Sequence, residues 1–168
     1  DIMKAVMDKN IKLRPSIETT FHACLNWTIV AHTHSVSTLV HAISEKGIKI
    51  AKEKLNDMPL SVIKYIKPGI DLTKEIMDNL NPKTQVFILK NHGLLTTGES
   101  VDAALWAFLS MDRCCQSQLL AEAAGQMERI SDDVAKLTKT QVGTEMAMWA
   151  SFQPLYDLML EKDDSFLN

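Results

Sequence analysis

Two apolar runs that end in histidine constrain this chain more than any other feature of its sequence. The first run, residues 27–34, contains His32 and His34, and the second, residues 85–89, is followed by His92. Both runs have the length and composition of buried β-strands. Because residues i and i+2 of a strand face the same side, the rings of His32 and His34 can point to one spot. Neutral imidazoles that converge from a fixed backbone are preferred ligands of divalent metals such as zinc.

Helical segments alternate with these strands, which indicates an α/β layered domain. Val62–Ile66 and Leu94–Thr97 add two more extended segments. The chain of 168 residues is expected to form a single domain, 1–168, whose helical tail, 132–168, packs on it or on a neighbouring subunit. Helices are predicted over residues 1–13, 16–25 (capped by Ser16), 37–46 (ended by Gly47), 71–80 (capped by Asp71), 101–125 (capped by Ser100), and two stretches of the tail.

Composition excludes several classes of partner. The formal net charge is −3, and no basic patch indicates binding to nucleic acid or to an anionic membrane. The apolar stretches are too short to span a bilayer, so no membrane partner is expected. The three cysteines are an odd count with two adjacent, which favours reduced thiols and a cytoplasmic location.

Each candidate residue also has an ordinary structural interpretation. A single histidine at a strand end is usually a hydrogen-bonded polar residue. His22 and His41, on the neighbouring predicted helices, are assigned either to structural roles or to supporting the ligand residues. Glu18, near a helix start, is either a favourable partner of the helix dipole or a general base or fourth metal ligand. Sequence spacing alone does not choose between these roles. Asn91, next to His92, is equally consistent with a solvated turn.

Several motifs together resemble a known family. The segments Arg14-Pro-Ser-Ile-Glu18-Thr-Thr-Phe-His22 and Val30-Ala-His-Thr-His-Ser35 are similar to the metal-site region of class II aldolase/adducin domains. The later segments agree in order: Tyr65-Ile-Lys-Pro-Gly69, Leu89-Lys-Asn-His-Gly-Leu-Leu95, and Gly98-Glu-Ser100 before an alanine-rich helix.

The resemblance implies a fold and a site. The fold would be three-layer α/β, with a mixed, largely antiparallel sheet flanked by helices, assembled as a homotetramer with sites between subunits. The metal ligands would be His32, His34 and His92, holding zinc or another divalent first-row metal. Glu18 would be the catalytic acid/base, and Ser16 and Asn91 are assigned to substrate binding.

The implied activity is that of a zinc-dependent aldehyde-lyase. It would cleave a small ketose or ketose phosphate by a retro-aldol reaction through a metal-stabilised enediolate. A sugar-phosphate 4-epimerase using the same metal site and a non-catalytic adducin-like scaffold are the alternatives. The sequence departs from the family pattern at two places that concern phosphate binding. The glycine-rich turn expected before Leu13 is missing, and Ser16-Ile17 replaces the Ser-Ser of many family aldolases.

Overall fold

The computed structural model describes residue 10 and residues 15–54, 60–125, 128 and 130–167, with the backbone alone at 50–54. The helix predicted over residues 1–13 lies outside these ranges apart from Asn10, and Arg14 lies outside them as well. The elements follow one another as α1 Thr19–Cys24, β1 Ile29–Thr33, α2 Val36–Ala42, α3 Glu45–Lys54, β2 Leu60–Ile63, α4 Ile70–Asp78, β3 Val86–Leu89, β4 Gly93–Gly98, α5 Val101–Ala124, α6 Asp132–Val142, α7 Glu145–Lys162 and a 3₁₀ turn, Ser165–Leu167.

The four strands form one sheet in the order β1-β4-β3-β2. Strand β4 pairs antiparallel with both β1 and β3, whereas β2 and β3 are parallel. The sheet is therefore mixed and largely antiparallel, as predicted. The order also brings the end of β1 beside the start of β4, because Thr33 pairs with Leu94.

Both faces of the sheet are covered by helices. In β3, Phe87 and Leu89 belong to a core that includes Phe21 of α1 and Leu72 of α4. The intervening strand residues point the other way, into a second core that contains Met111 of α5. Burial on both faces explains the continuous apolar run of β3 and gives the predicted three layers.

Helix α1 begins later than predicted. Its N-cap position is Glu18 rather than Ser16, and the Glu18 side chain makes no capping hydrogen bond. The Ser16 hydroxyl instead accepts a hydrogen bond from the Glu18 backbone N–H at 3.1 Å, which forms a turn before the helix. The carboxylate of Glu18 is thus not used for capping and extends toward the sheet.

The prediction of one helix over residues 37–46 ended by Gly47 is wrong. Helix α2 stops at Ala42, and α3 begins at Glu45 with Gly47 inside it. The Ser44 hydroxyl accepts the backbone N–H of Gly47 at 2.9 Å, so Ser44 starts the new helix. Gly47 is a packing residue, because a Cβ there would lie 2.6 Å from the Cα of His41.

Helix α4 also starts differently from its prediction. Its N-cap is Gly69, with φ of 137°, and Asp71 lies in the first turn without capping the helix. Gly69 meets the need for a positive φ at this entry, a conformation that L side chains rarely adopt. Asp71 is placed where an acidic side chain interacts favourably with the helix dipole.

The tail packs on α5 through α7. Ser100 caps α5 as predicted, by accepting the backbone N–H of Ala103. In α7, Phe152 lines a cavity of about 80 Å³ together with Trp106 of α5, whereas Met146 and Trp149 remain 71% and 50% exposed. The apolar side chains of this helix are therefore only partly covered. Within the described ranges, no helix combines the length and the apolar composition needed to cross a bilayer.

Candidate metal centre

The three histidines of the two strand-end motifs converge at one end of the sheet. His32 is the next-to-last residue of β1, and His34 directly follows that strand. His92 directly precedes β4. Because β1 and β4 are neighbours, these positions are adjacent in space. The ring centroids of His32 and His34 are 4.9 Å apart, and that of His92 is 4.9 and 5.1 Å from the other two.

Glu18 completes the cluster from the helical layer. Its Oε1 lies 3.3 Å from Nε2 of His32 and 3.2 Å from Nε2 of His92. One ligand atom from each of Glu18, His32, His34 and His92 lies within 4.8 Å of the others. The structure thus brings together all four residues that the sequence assigned to metal binding and acid/base chemistry.

The two residues assigned to substrate binding have local structural roles. Ser16 is exposed, and its hydroxyl accepts a hydrogen bond from the Glu18 backbone N–H. Asn91 is exposed and has a φ of 53°, the left-handed conformation that asparagine tolerates better than most residues. It lies in a turn closed by the His92 N–H, which donates to the carbonyl of Leu89 at 3.1 Å. This turn fixes the backbone of His92 directly before β4.

Hydrogen bonding determines which nitrogen of His32 faces the cluster. Its Nδ1 lies 3.0 Å from the carbonyl oxygen of Leu94, which can only accept, so Nδ1 carries the proton. Burial lowers the pKa of His32, although the Leu94 carbonyl and the charge of Glu18 both raise it. The ring is consequently neutral near pH 7, and its contact with Glu18 is not an ion pair.

A cation fits this arrangement of atoms. In neutral His32, Nε2 carries a lone pair that faces the Glu18 carboxylate, two acceptors that repel unless a proton or a metal ion lies between them. This buried Nε2 and the buried Nδ1 of His92 have no hydrogen-bond partner among the described residues. Three imidazoles and one carboxylate are a ligand set suited to zinc and to other first-row divalent metals.

Packing around the rings holds them in place. The His32 and His92 side chains are 6% and 9% exposed, and Phe21 meets the edge of the His32 ring with centroids 5.6 Å apart. A bond from a ligand histidine to a backbone carbonyl, as His32 makes to Leu94, orients the ring for metal binding. Sequence reasoning did not identify Phe21 or Leu94, because neither carries a chemical signal of its own.

The sequence analysis also gave no role to Gly93, although this glycine directly follows His92. A Cβ at Gly93 would lie 2.5 Å from the carbonyl oxygen of Thr33, 2.8 Å from Cδ2 of His34 and 3.2 Å from Cε1 of His32. The two histidine motifs can approach each other only because residue 93 has no side chain.

Replacing Gly93 with alanine should therefore open the junction between β1 and β4. We expect a loss of about 1–3 kcal/mol in the free energy of unfolding, as for other overpacked sites, together with weaker metal binding. Thermal unfolding and a zinc titration measure the two effects. Asn91→Gly is the matched control, since glycine accepts the φ of that position, and it should leave both quantities nearly unchanged. Unaltered stability and zinc affinity in Gly93→Ala would contradict the packing role.

Comparison with known proteins gives relatives of more than one kind. Over 79 residues the chain is 49% identical to Decarboxylase NovR of Streptomyces niveus, a match covering 47% of this chain and 29% of that protein. It is 31% identical to alpha-adducin of Rattus norvegicus over 115 residues, 60% of this chain and 16% of that protein. The chain thus spans less than a third of the length of either relative.

The fold has solved counterparts. The L-fuculose 1-phosphate aldolase of Glaciozyma antarctica PI12 superposes with a TM-score of 0.63 at 25% identity, over 86% of this chain and 57% of that one. The family model described as Class II Aldolase and Adducin N-terminal domain matches residues 1–119. This match covers every residue of the histidine cluster, and the chain belongs to the class II aldolase and adducin N-terminal domain family.

Proposed function

We propose that this protein is a metal-dependent aldolase, with zinc as the first candidate metal, that cleaves a ketose or ketose phosphate by a retro-aldol reaction. The observation that carries the proposal is the approach of the Glu18 carboxylate to within 3.3 Å of imidazole nitrogens from both histidine motifs. This is the combination that the reaction needs: a Lewis-acid site and a carboxylate within reach of the same substrate atoms.

Each residue has a distinct task in this chemistry. His32, His34 and His92 would hold the cation, which when bound supplies Lewis-acid stabilisation for the negative charge that cleavage leaves on the substrate oxygens. Glu18 would accept the hydroxyl proton of the carbon that leaves as the aldehyde and return it to the carbon next to the carbonyl, from the helix side of the site. The side chains of His32 and His92 are themselves largely shielded from water. Their packing keeps the reacting groups in a fixed geometry.

Two alternatives use the same domain differently. A 4-epimerase would employ the same residues and re-add the cleaved aldehyde on its opposite face, so product analysis separates it from a lyase. A scaffold without catalysis is the alternative that the similarity to alpha-adducin supports. The complete cluster of three histidines and Glu18 supports catalysis over that alternative.

Decarboxylation is the second candidate reaction, favoured by the 49% identity to Decarboxylase NovR over 79 residues. Loss of carbon dioxide from a 3-oxo acid also breaks a carbon–carbon bond one carbon away from a carbonyl and leaves an enolate. The electron pair left behind needs the same stabilisation as in retro-aldol cleavage. Protonation of the resulting carbon would again fall to Glu18.

A paired product screen tests these assignments. Ketose phosphates and free ketoses would be assayed for aldehyde release, and oxo acids for carbon dioxide, each with and without a chelator. We expect aldehyde release that the chelator abolishes and added zinc restores. Chelator-sensitive carbon dioxide release without aldehyde would select the decarboxylase. Turnover unaffected by complete metal removal would reject both metal-dependent reactions.

We also propose that the protein forms a homotetramer with its sites near subunit boundaries. The supporting feature is the pair of exposed apolar side chains on α7, Met146 and Trp149, since exposed apolar patches usually mark interfaces. Light scattering at micromolar concentration should give the mass of four chains, and Trp149→Glu should lower it. Glu161→Gln on the same helix is the control and should leave the mass unchanged. A monomer with full activity would rule out a shared site.

A further inference from the structure

His34 differs from the other two histidines of the cluster in how it is held. The side chains of His32 and His92 are buried, and His32 is fixed by its bond to Leu94. His34 is exposed, and its ring makes no hydrogen bond to any residue that the structure describes. Its ring packs against those of His32 and His92, and because no hydrogen bond orients it, its position depends strongly on the backbone that carries it.

That backbone is anchored one residue further along. Ser35 is the N-cap of α2, and its hydroxyl oxygen accepts the backbone N–H of Thr38 at 3.4 Å. The same hydroxyl donates a hydrogen bond to Oδ1 of Asp112, which lies on α5. His34 is thus held between the end of β1 on one side and a serine fixed to two helices on the other.

Asp112 is well placed to be the fixed end of this connection. It lies in the middle of the longest helix and is half-buried, next to Met111, which is part of the core against the sheet. Among the described residues Asp112 forms no ion pair, so its carboxylate interacts chiefly with Ser35. A hydrogen bond to an ionised acceptor is roughly twice as strong as one between neutral groups.

We propose that Asp112 is a positioning residue for the metal ligand His34, acting through Ser35. The inference rests on the proposed metal site and adds a residue to it that is 77 positions from Ser35 in sequence. Without the acceptor, the segment of His34 and Ser35 would sample other positions, and the ligand would be less often in place. Loss of a group that orients a metal ligand typically weakens metal affinity by about 10–100-fold.

A double-mutant cycle on zinc affinity tests this role, with chelator competition as the readout. Asp112→Ala should weaken zinc binding by about 10–100-fold. Asp112→Asn, which keeps an acceptor oxygen for Ser35, should recover most of the affinity. In a His34→Ala background, Asp112→Ala should change affinity by no more than about two-fold, because the ligand it positions is gone.

Controls separate this effect from a general loss of structure. Asp102→Ala removes a carboxylate from the same helix about 15 Å away and should leave zinc affinity unchanged. Thermal unfolding of the metal-free proteins reports stability independently. If Asp112→Ala does not fold, Ser35→Ala removes the same hydrogen bond by removing its donor. Zinc affinity is then measured for Ser35→Ala with and without His34→Ala.

The outcomes distinguish this inference from the metal site itself. Zinc binding by the unmodified protein with no change in Asp112→Ala would overturn the role of Asp112 and leave the site intact. If Asp112→Ala weakened zinc binding equally in the presence and absence of His34, the positioning role would also be overturned. The effect would then not pass through that ligand. No zinc binding by the unmodified protein would reject the site and the positioning role together.

Discussion

Removing His32 and His92 together should abolish metal binding at the cluster. After zinc loading and removal of excess metal, the unmodified protein should retain about one ion per chain, as a three-histidine site does, and the double variant almost none. Only His34 and Glu18 would remain, and two ligands do not form a closed site. Elemental analysis of the dialysed proteins measures the difference.

The control for this experiment is His22→Gln. His22 is an exposed histidine on α1 that lies outside the cluster, so its loss should not alter the metal content. Circular dichroism would establish that the double variant is folded. Full occupancy in a folded protein lacking both His32 and His92 would mean that the metal is held elsewhere.

Glu18→Gln should retain the metal and lose most of the turnover. Glutamine preserves the size of the side chain but cannot accept the proton, so we expect kcat to fall by about 10² or more. The loss should appear in kcat rather than only in KM, because Glu18 is assigned to the chemical step. Steady-state kinetics on the substrate found in the product screen give both constants.

Glu99→Gln is the matched control for loss of a carboxylate. Glu99 is exposed and accepts a hydrogen bond from Thr28 at 3.0 Å, so it belongs to a different region of the structure. Its kinetic constants should be close to those of the unmodified protein. A Glu18→Gln variant with its metal and near-normal kcat would show that another group is the base.

The strands and their histidines were predictable because their signals are local. An apolar run ending in His-Thr-His, or in Asn-His-Gly, identifies both a buried strand and its functional end within a few residues. The pairing of β1 with β4, which joins the two motifs, brings together residues as far apart in sequence as Thr33 and Leu94 and has no local signal. The antiparallel order was implied by resemblance to a family.

Other features depend on packing that the sequence pattern does not describe. Helix α2 ends before Ser44 because α3 packs with Gly47 against the backbone of His41, although periodicity favoured one continuous helix. The carboxylate of Glu18 reaches the histidines because α1 begins after it. Ser35 and Asp112 meet only when α2 and α5 cover the same face of the sheet. Each of these contacts is a consequence of the tertiary fold.

Anomalous X-ray diffraction from zinc-loaded crystals, collected above and below the zinc absorption edge, tests the metal centre most directly. We expect one strong anomalous peak, with nitrogen atoms of His32, His34 and His92 about 2.0–2.2 Å from it. The Glu18 carboxylate should lie beside the same peak. A zinc-loaded crystal with no peak among these residues, or with its peak at another group of side chains, would contradict the assignment of this cluster as the metal centre.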